Sequence, residues 1–524
     1  MTNFSRTLII SCSVLALAGC GGDEIVSPGT GGDIIINNPT PTPGPTPTPT
    51  GSASVTPAGG CPTIAATGGL RDDGTITGPT GTYRVCVLPA SIDKSTKLQY
   101  VSGLLYAMDG RVDVGNDGGA VASGADTNVT LTIDPGVIVF AGNATTPNGE
   151  SYLVVNRGNK INAVGSANMP IVFTSRDNVL GLSTDSSIGQ WGGVVLLGRA
   201  PVSDCRDGNF NKADQSLCEQ ELEGAALTTL FGGNTPADSS GTMKYFQIRY
   251  SGFTLTGGSE LQSLTTGGIG SGTVIDNWQS FNSSDDGMEF FGGTVKMSNV
   301  VVVGADDDSI DVDTGAQADM QNVIAVQRAS GGDNIVELDS PDDDYSFDAL
   351  PRTNLRIANA TFVGGSSAQS RLLRLRGGAD FSLVDSVMDT KGKPCMRIDE
   401  TPTIDPAVGN GAPFFASVVA NCSSATPFQG GTNITAQQTA DLFNNSADTD
   451  SNFTVSLTSG FINSAEINAW TVYDPTQLTM FFTATDHIGA VKDAADDWWA
   501  GWTCDSATLT FGSNVGACTS LPVY

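Results

Sequence analysis

Five acidic residues share one repeating context. Met288-Glu289-Phe290-Phe291, Ile310-Asp311-Val312-Asp313 and Val336-Glu337-Leu338-Asp339 each alternate apolar and acidic side chains. Two later segments keep the alternation and change the charge: Leu373-Arg374-Leu375-Arg376 and Met396-Arg397-Ile398-Asp399. In a strand, alternate side chains face opposite sides, so with Met, Ile, Val and Leu turned inward, Glu289, Asp311, Asp313, Glu337 and Asp339 point outward along one face. Carboxylates stacked in this way repel one another and need compensation, most of all where walls exclude water. One answer is a cap of guanidinium groups from Arg374, Arg376 and Arg397. Another is calcium, which accepts clustered carboxylates and carbonyls; the turns Asp285-Asp286-Gly287, Asp306-Asp307-Asp308 and Asp333-Asn334 add oxygens at the same strand edge. A third is catalysis by these acids together with Arg374 or Arg376.

The elements that must position these groups are legible from their spacing. Taking Glu289, Asp311, Glu337, Arg374 and Arg397 as markers, the steps are 22, 26, 37 and 23 residues. A second series, Asn277, Asn299, Asn322 and Asn359, each opening or preceding an apolar run, advances by 22, 23 and 37. The long step recurs in both, so one insertion, residues 340–353, accounts for it. Two strand series advancing together by about 22 residues predict a parallel β-helix, right-handed, with rungs ~4.8 Å apart and asparagine amides bonded from rung to rung. A propeller blade needs roughly 40 to 45 residues. The fold class expected is therefore all-β, a solenoid with disulfide-closed insertions, over residues 54–524.

Charge and composition narrow the function. The chain carries 55 acids against 25 Lys and Arg, a net of −30, which makes nucleic acid and anionic headgroups poor partners. From Asp285 to Asp344 fifteen acids face two bases, Lys296 and Arg328. His487 is the only histidine, so most histidine catalysis and most zinc chemistry are excluded. Glycine-rich segments lack the lysine and helix pattern of a phosphate cradle. Asp207, Asn209 and Asn211 begin a calcium-like loop, yet Cys218 stands where its last ligand belongs, and the segment reads as a disulfide-closed insertion. Trp498, Trp499 and Trp502 suit a terminal core cap better than a sugar platform.

Ten cysteines are present. Setting aside Cys12 and Cys20 of the leader, the others fall into sequential pairs with short separations, giving Cys61–Cys86, Cys205–Cys218, Cys395–Cys422 and Cys504–Cys518 as staples of an oxidising compartment. The leader itself has Arg6, the apolar run Leu8 to Ala18, and then Leu17-Ala18-Gly19-Cys20. That run is too short to span a bilayer. It resembles the lipobox of bacterial lipoproteins, a resemblance that implies cleavage after residue 19, a diacylglycerol on Cys20 and, with Gly21 following, outer-membrane sorting. Residues 20–53 include PTPTPGPTPTPTG, an extended tether between that membrane anchor and the domain.

The segments 131–142, 152–175, 191–202, 285–295, 307–315 and 487–504 resemble a group of exported bacterial proteins, many of them lipoproteins, with right-handed parallel β-helices and no general activity. The resemblance implies architecture, not a site. A pectate-lyase-like mechanism is compatible with the acids and arginines above. The paired aspartates also resemble those of polygalacturonases, but that family's glycine-flanked histidine and basic motif are missing. The functional expectation is an outer-membrane or surface scaffold that binds a glycan, a cation or an outer-membrane protein; the alternative is a calcium-dependent polysaccharide lyase.

Overall fold

The computed structural model describes residues 54–524 apart from 143–149, 207–217, 224, 226, 257–258, 341–348, 368–370, 406–410 and 514. The leader, Cys20, the Pro/Thr tether and the loop at Asp207, Asn209 and Asn211 lie outside the described residues, as does much of the insertion at 340–353.

The repeat becomes a stack of rungs in two long parallel sheets. In the first sheet Trp278 pairs with Val300, Val300 with Val323, and Val323 with Ala360. In the second, Glu289 pairs with Asp311, Asp311 with Glu337, Glu337 with Arg374, Arg374 with Arg397, and Arg397 with Gln429. The chain is thus a parallel β-helix, and its sequence markers fall into register without a slip. Inward side chains of both sheets, among them Met288, Phe290, Ile310, Val312, Leu338 and Leu375, meet in one continuous apolar core. A one-residue slip would turn this set to solvent, which is what fixes the register.

The recurrent asparagines lie inside strands. Strands Val274–Phe281, Thr294–Val303, Gln317–Val326 and Asn354–Val363 each bend where Asn277, Asn299, Asn322 and Asn359 adopt left-handed backbone, φ 49°, 57°, 59° and 54°. The ladder steps over the bent residue, pairing Ser298 with Gln321 and then Val300 with Val323. Asparagine tolerates this conformation because its short amide can bond locally. Here the amide bonds along the stack: Asn322 donates to Asn299 Oδ1 at 3.0 Å, and Asn299 to Asp276 Oδ1 at 3.2 Å.

All four expected disulfides are present, linking Cys61 to Cys86, Cys205 to Cys218, Cys395 to Cys422 and Cys504 to Cys518. At the N-terminal end the antiparallel hairpin Arg71–Gly78 with Gly81–Val87 starts the first sheet. At the other end the helix Ala436–Asn444, opened by a capping box between Thr435 and Gln438, places Phe443 against Phe415 and Phe428.

This helix, not the tryptophan segment, caps the core. Trp498, Trp499 and Trp502 pack instead on the outer face of the first sheet, with Val301, Ile324 and Val363. The reason is that this sheet is apolar on both faces and needs a cover. Residues 457–524 supply it, running back along the solenoid. Thr483 meets Gln321, Cys504 meets Gln279, and Cys518 and Ser520 meet the buried Arg249.

The bend residues give a direct test. Asn322→Val forces a branched side chain into left-handed backbone, at ~1–2 kcal/mol, and breaks the amide stack, at ~1 kcal/mol. Asn322→Gly loses only the stack and some chain entropy. Thermal melts should rank wild type above Asn322→Gly and Asn322→Gly above Asn322→Val; equal Tm for the two variants would contradict the bend.

Candidate functional site

Along the outer face of the second sheet, side-chain chemistry changes rung by rung. Tyr152 and Val154, then Val195 and Leu197, are covered by an apolar insertion containing Val202, Leu222 and Phe231. Thr265 follows, bonded to Gln262 at 2.5 Å. Next come Glu289, Asp311 and Glu337, and then Arg374 and Arg397. Beside this column, Phe291 pairs with Asp313, and Asp339 and Arg376 continue the line. The five acids predicted from the alternation therefore occupy one face.

The turns between the sheets bring their own acids to the same place. Asp286, Asp308 and Asn334 hold equivalent positions: the Asp308 amide donates to Asp286 Oδ1 at 2.8 Å, and the Asn334 amide to Asp308 Oδ1 at 2.5 Å. Gly287 is needed for this stacking, since a Cβ there would lie 2.6 Å from the Ser309 carbonyl oxygen. With Glu223, Glu260 and Gln262, Asp286 and Asp308 line a cleft of about 300 Å³ that reaches Arg374. A larger hollow of about 750 Å³ lies near Arg328, Lys391 and Ala507, but it gathers no convergent set of carboxylates.

Three groups of oxygens lie within 4.8 Å of one another: Asp285, Asp286 and Asp307; Asp286, Glu289 and Asp311; Asp307, Asp308 and Asp333. Asp286 and Asp307 are each shared by two groups, so the cleft is one connected oxygen surface. Glu289 is 6 % exposed, and its Oε2 is buried without a hydrogen-bond partner among the described residues. A buried, unpartnered carboxylate oxygen is costly, and a hard cation supplies what it lacks.

The electrostatics agree. Burial and then the neighbouring charges of Asp311 and Glu223 push Glu289 well above the usual carboxylate range. Burial, Asp285 and Asp311 do the same to Asp286, and burial, Asp313 and Glu337 to Asp311. Burial, with Glu260 beside it, lifts Asp285 to about 9, and burial with Asp333 lifts Asp307 to about 6.

The far end of the column is compensated internally. Arg374 meets Glu337 at 2.9 Å and Asp399 at 3.4 Å, while Arg376 meets Asp339 at 2.9 Å and Glu337 at 3.3 Å. Arg397 meets Asp399 at 2.8 Å. The arginine cap thus reaches Glu337 and Asp339. Among the described residues no ion pair reaches Glu289 or Asp311, which face the cleft. The acid ladder therefore splits into a paired part and a cation-competent part. His487 lies elsewhere, on the C-terminal segment, with its Nε2 3.7 Å from Asp496.

A solenoid whose outer stripe carries a carboxylate cleft next to arginines defines a class suited to glycans, as a binding scaffold or a polysaccharide-active enzyme. More specifically, the chain belongs to the family of pectate-lyase-like β-helix domains, whose model matches residues 119–503. No curated protein and no solved structure matches it.

Glu223, Glu260 and Gln262 are the cleft residues that the sequence pattern did not expose. They come from the insertion and from the residues after Phe253–Thr256, where no alternation marks them.

Acids whose folded pKa is raised bind more protons folded than unfolded, so without a divalent cation they contribute most stability near the unfolded value, about pH 4. That contribution is lost as pH rises through about 6 for Asp307 and about 9 for Asp285. In chelator, Tm should fall between pH 6 and 9. Glu289→Gln and Asp286→Asn should flatten that fall, raising Tm at pH 9 by about 1 °C per kcal/mol of repulsion relieved in a domain of this size. A Tm that rises with pH over this range would contradict the assignment.

Proposed function

We propose that the domain binds acidic polysaccharide, uronate chains, through a divalent cation held in the cleft, with calcium the best fit. The observation carrying this reading is the buried Glu289 Oε2, without a hydrogen-bond partner among the described residues, beside Asp286 and Asp311 and facing the same cleft as Arg374. An all-oxygen donor set suits calcium. Asp286, Glu289 and Asp311 would hold the ion, whose open positions would accept sugar carboxylate and hydroxyl oxygens. Arg374, Arg376 and Arg397 meet further sugar carboxylates along the stripe, where bidentate pairing gives direction as well as affinity. Glu337 and Asp339 then serve to orient the arginines more than to bind metal, and Asp313 stands beside Asp311 on the same face.

A uronate lyase is the second reading. It is favoured by the guanidinium groups next to the cation-competent acids, and it needs Arg374 or Arg376 to accept a proton. Burial works against the charge on Arg374, but Glu337 and Asp399 outweigh it and hold the group above its ordinary value. Such a guanidinium binds carboxylates better than it takes protons. Binding is therefore the primary function proposed.

The leader supports the further proposal that a diacylglycerol on Cys20 anchors the protein to the outer membrane, with the Pro/Thr segment holding the β-helix out toward a polysaccharide or an outer-membrane protein.

Calcium should raise Tm by mass action, and Asp286→Asn with Asp311→Asn should remove most of that rise. Oligogalacturonate should bind with calcium and lose at least tenfold in affinity in chelator; equal affinity in both would defeat the cation reading. An unsaturated product absorbing in the ultraviolet, lost in Arg374→Ala with Tm retained, would instead establish the lyase. Separately, Cys20→Ser should abolish lipid labelling and release the protein from membranes, and persistent labelling would refute the anchor.

A further inference from the structure

The groove over the second sheet is closed at one end. Its N-terminal rungs carry apolar outward side chains, and the insertion buries them: Tyr152 and Leu197 are 1 % exposed, Val154 and Val195 0 %. The seal continues to the first acidic rung, where Phe231 packs on Phe291 with ring centroids 5.9 Å apart.

The plug is fixed, not draped. Arg157, fully buried, donates to Glu219 Oε1 at 2.7 Å and to the Gly232 carbonyl at 3.0 Å, while Arg111 reaches Thr229 Oγ1 at 2.6 Å. Cys205–Cys218 closes the insertion on itself. These buried charge-assisted bonds tie the plug to the solenoid at points well behind the cleft.

Among the described residues the opposite direction stays accessible. From Glu289 to Gln429 the column crosses six rungs, a run of about 24 Å at ~4.8 Å per step. Its arginines become more exposed along the way, Arg374 at 26 % and Arg397 at 36 %. The oxygen cluster therefore sits at the blind end, against Gln262 and Glu223, and the arginines line the way out.

We propose that this cleft recognises the end of an acidic polysaccharide chain and not its interior. The inference rests on the uronate-binding reading above. A chain laid along the column cannot continue past Glu289 through the plug, so its terminal sugar occupies the cation-competent pocket. The following sugars run outward over Arg374 and Arg397. Mid-chain binding would require the groove to be open at both ends.

The test counts proteins per chain. Polygalacturonate fractions of defined short and long length are titrated with the folded domain in calcium, and stoichiometry is read by calorimetry and sedimentation. End recognition gives a constant number per chain, at most one for each type of end, whatever the length. A number that grows with length overturns it. Blocking both ends with a bulky label should weaken binding at least tenfold, and undiminished binding of the blocked chain also overturns it. Binding to no fraction would remove the uronate reading itself, and this inference with it, a result distinct from either of those two. Replacing residues 203–233 by a short linker should open the groove and make the number per chain length-dependent; if that variant does not fold, the wild-type stoichiometry still decides.

Discussion

Everything in this molecule follows from the fact that parallel rungs, ~4.8 Å apart, place like positions directly over one another. What stacks is then amplified. Apolar positions become a continuous core, from Met288 and Phe290 to Leu373 and Leu375. Asparagine positions become an amide ladder that holds a bend in left-handed backbone. Acidic positions become a column of like charge that neighbouring arginine rungs neutralise only at one end, at Glu337 and Asp339. The first two ladders stabilise the fold. The third strains against it, and the surrounding structure is arranged to manage that strain.

Management takes a different form at each end of the column. Toward the C-terminus the next rungs supply arginines, so Glu337 and Asp339 are satisfied within the fold. Toward the N-terminus the turn acids of adjacent rungs converge on Glu289 and Asp311. The turns are tightly built, with Asp286 and Asp308 each accepting an amide from the following turn, so the carboxylates cannot swing apart to relax their repulsion. An oxygen-lined cleft held open against its own charge is preorganised for a cation. A cation bound there would offset the repulsion that folding builds into the site.

The parts legible in the sequence are those encoded by period. The alternation at Glu289, Asp311, Glu337, Arg374 and Arg397 identified the face, the register and the arginine cap, because one face of a strand is a local property. The cysteine pairs were legible because each links residues near in sequence, separated by 13 to 27 positions. What could not be read is contact across long separations. Glu223 and Glu260 enter the cleft from segments whose own composition says nothing about destination. The tryptophan segment looked like an end cap, since aromatic residues near a terminus commonly serve as one. Only the apolar outer face of the first sheet, at Val301 and Ile324, explains its position along the flank. Likewise Arg157 finds Asp117 and Glu219 across 40 and 62 residues, a network with no repeat behind it.

The returning C-terminal segment changes the kind of object this solenoid is. In a simple repeat array each coil touches only its neighbours, and order can spread or fray from either end. Here the Tyr100 hydroxyl donates to the backbone carbonyl of Tyr524, 424 residues away, and the Tyr524 hydroxyl donates to the Pro170 carbonyl. Tyr524 is therefore a structural part of the early rungs. During synthesis the coils can stack in order as they emerge, but the outer face of the first sheet stays uncovered until residues 457–524 arrive. The coils and their cover are thus separate in sequence, and a product lacking residues 457–524 would present a long apolar sheet face to its surroundings.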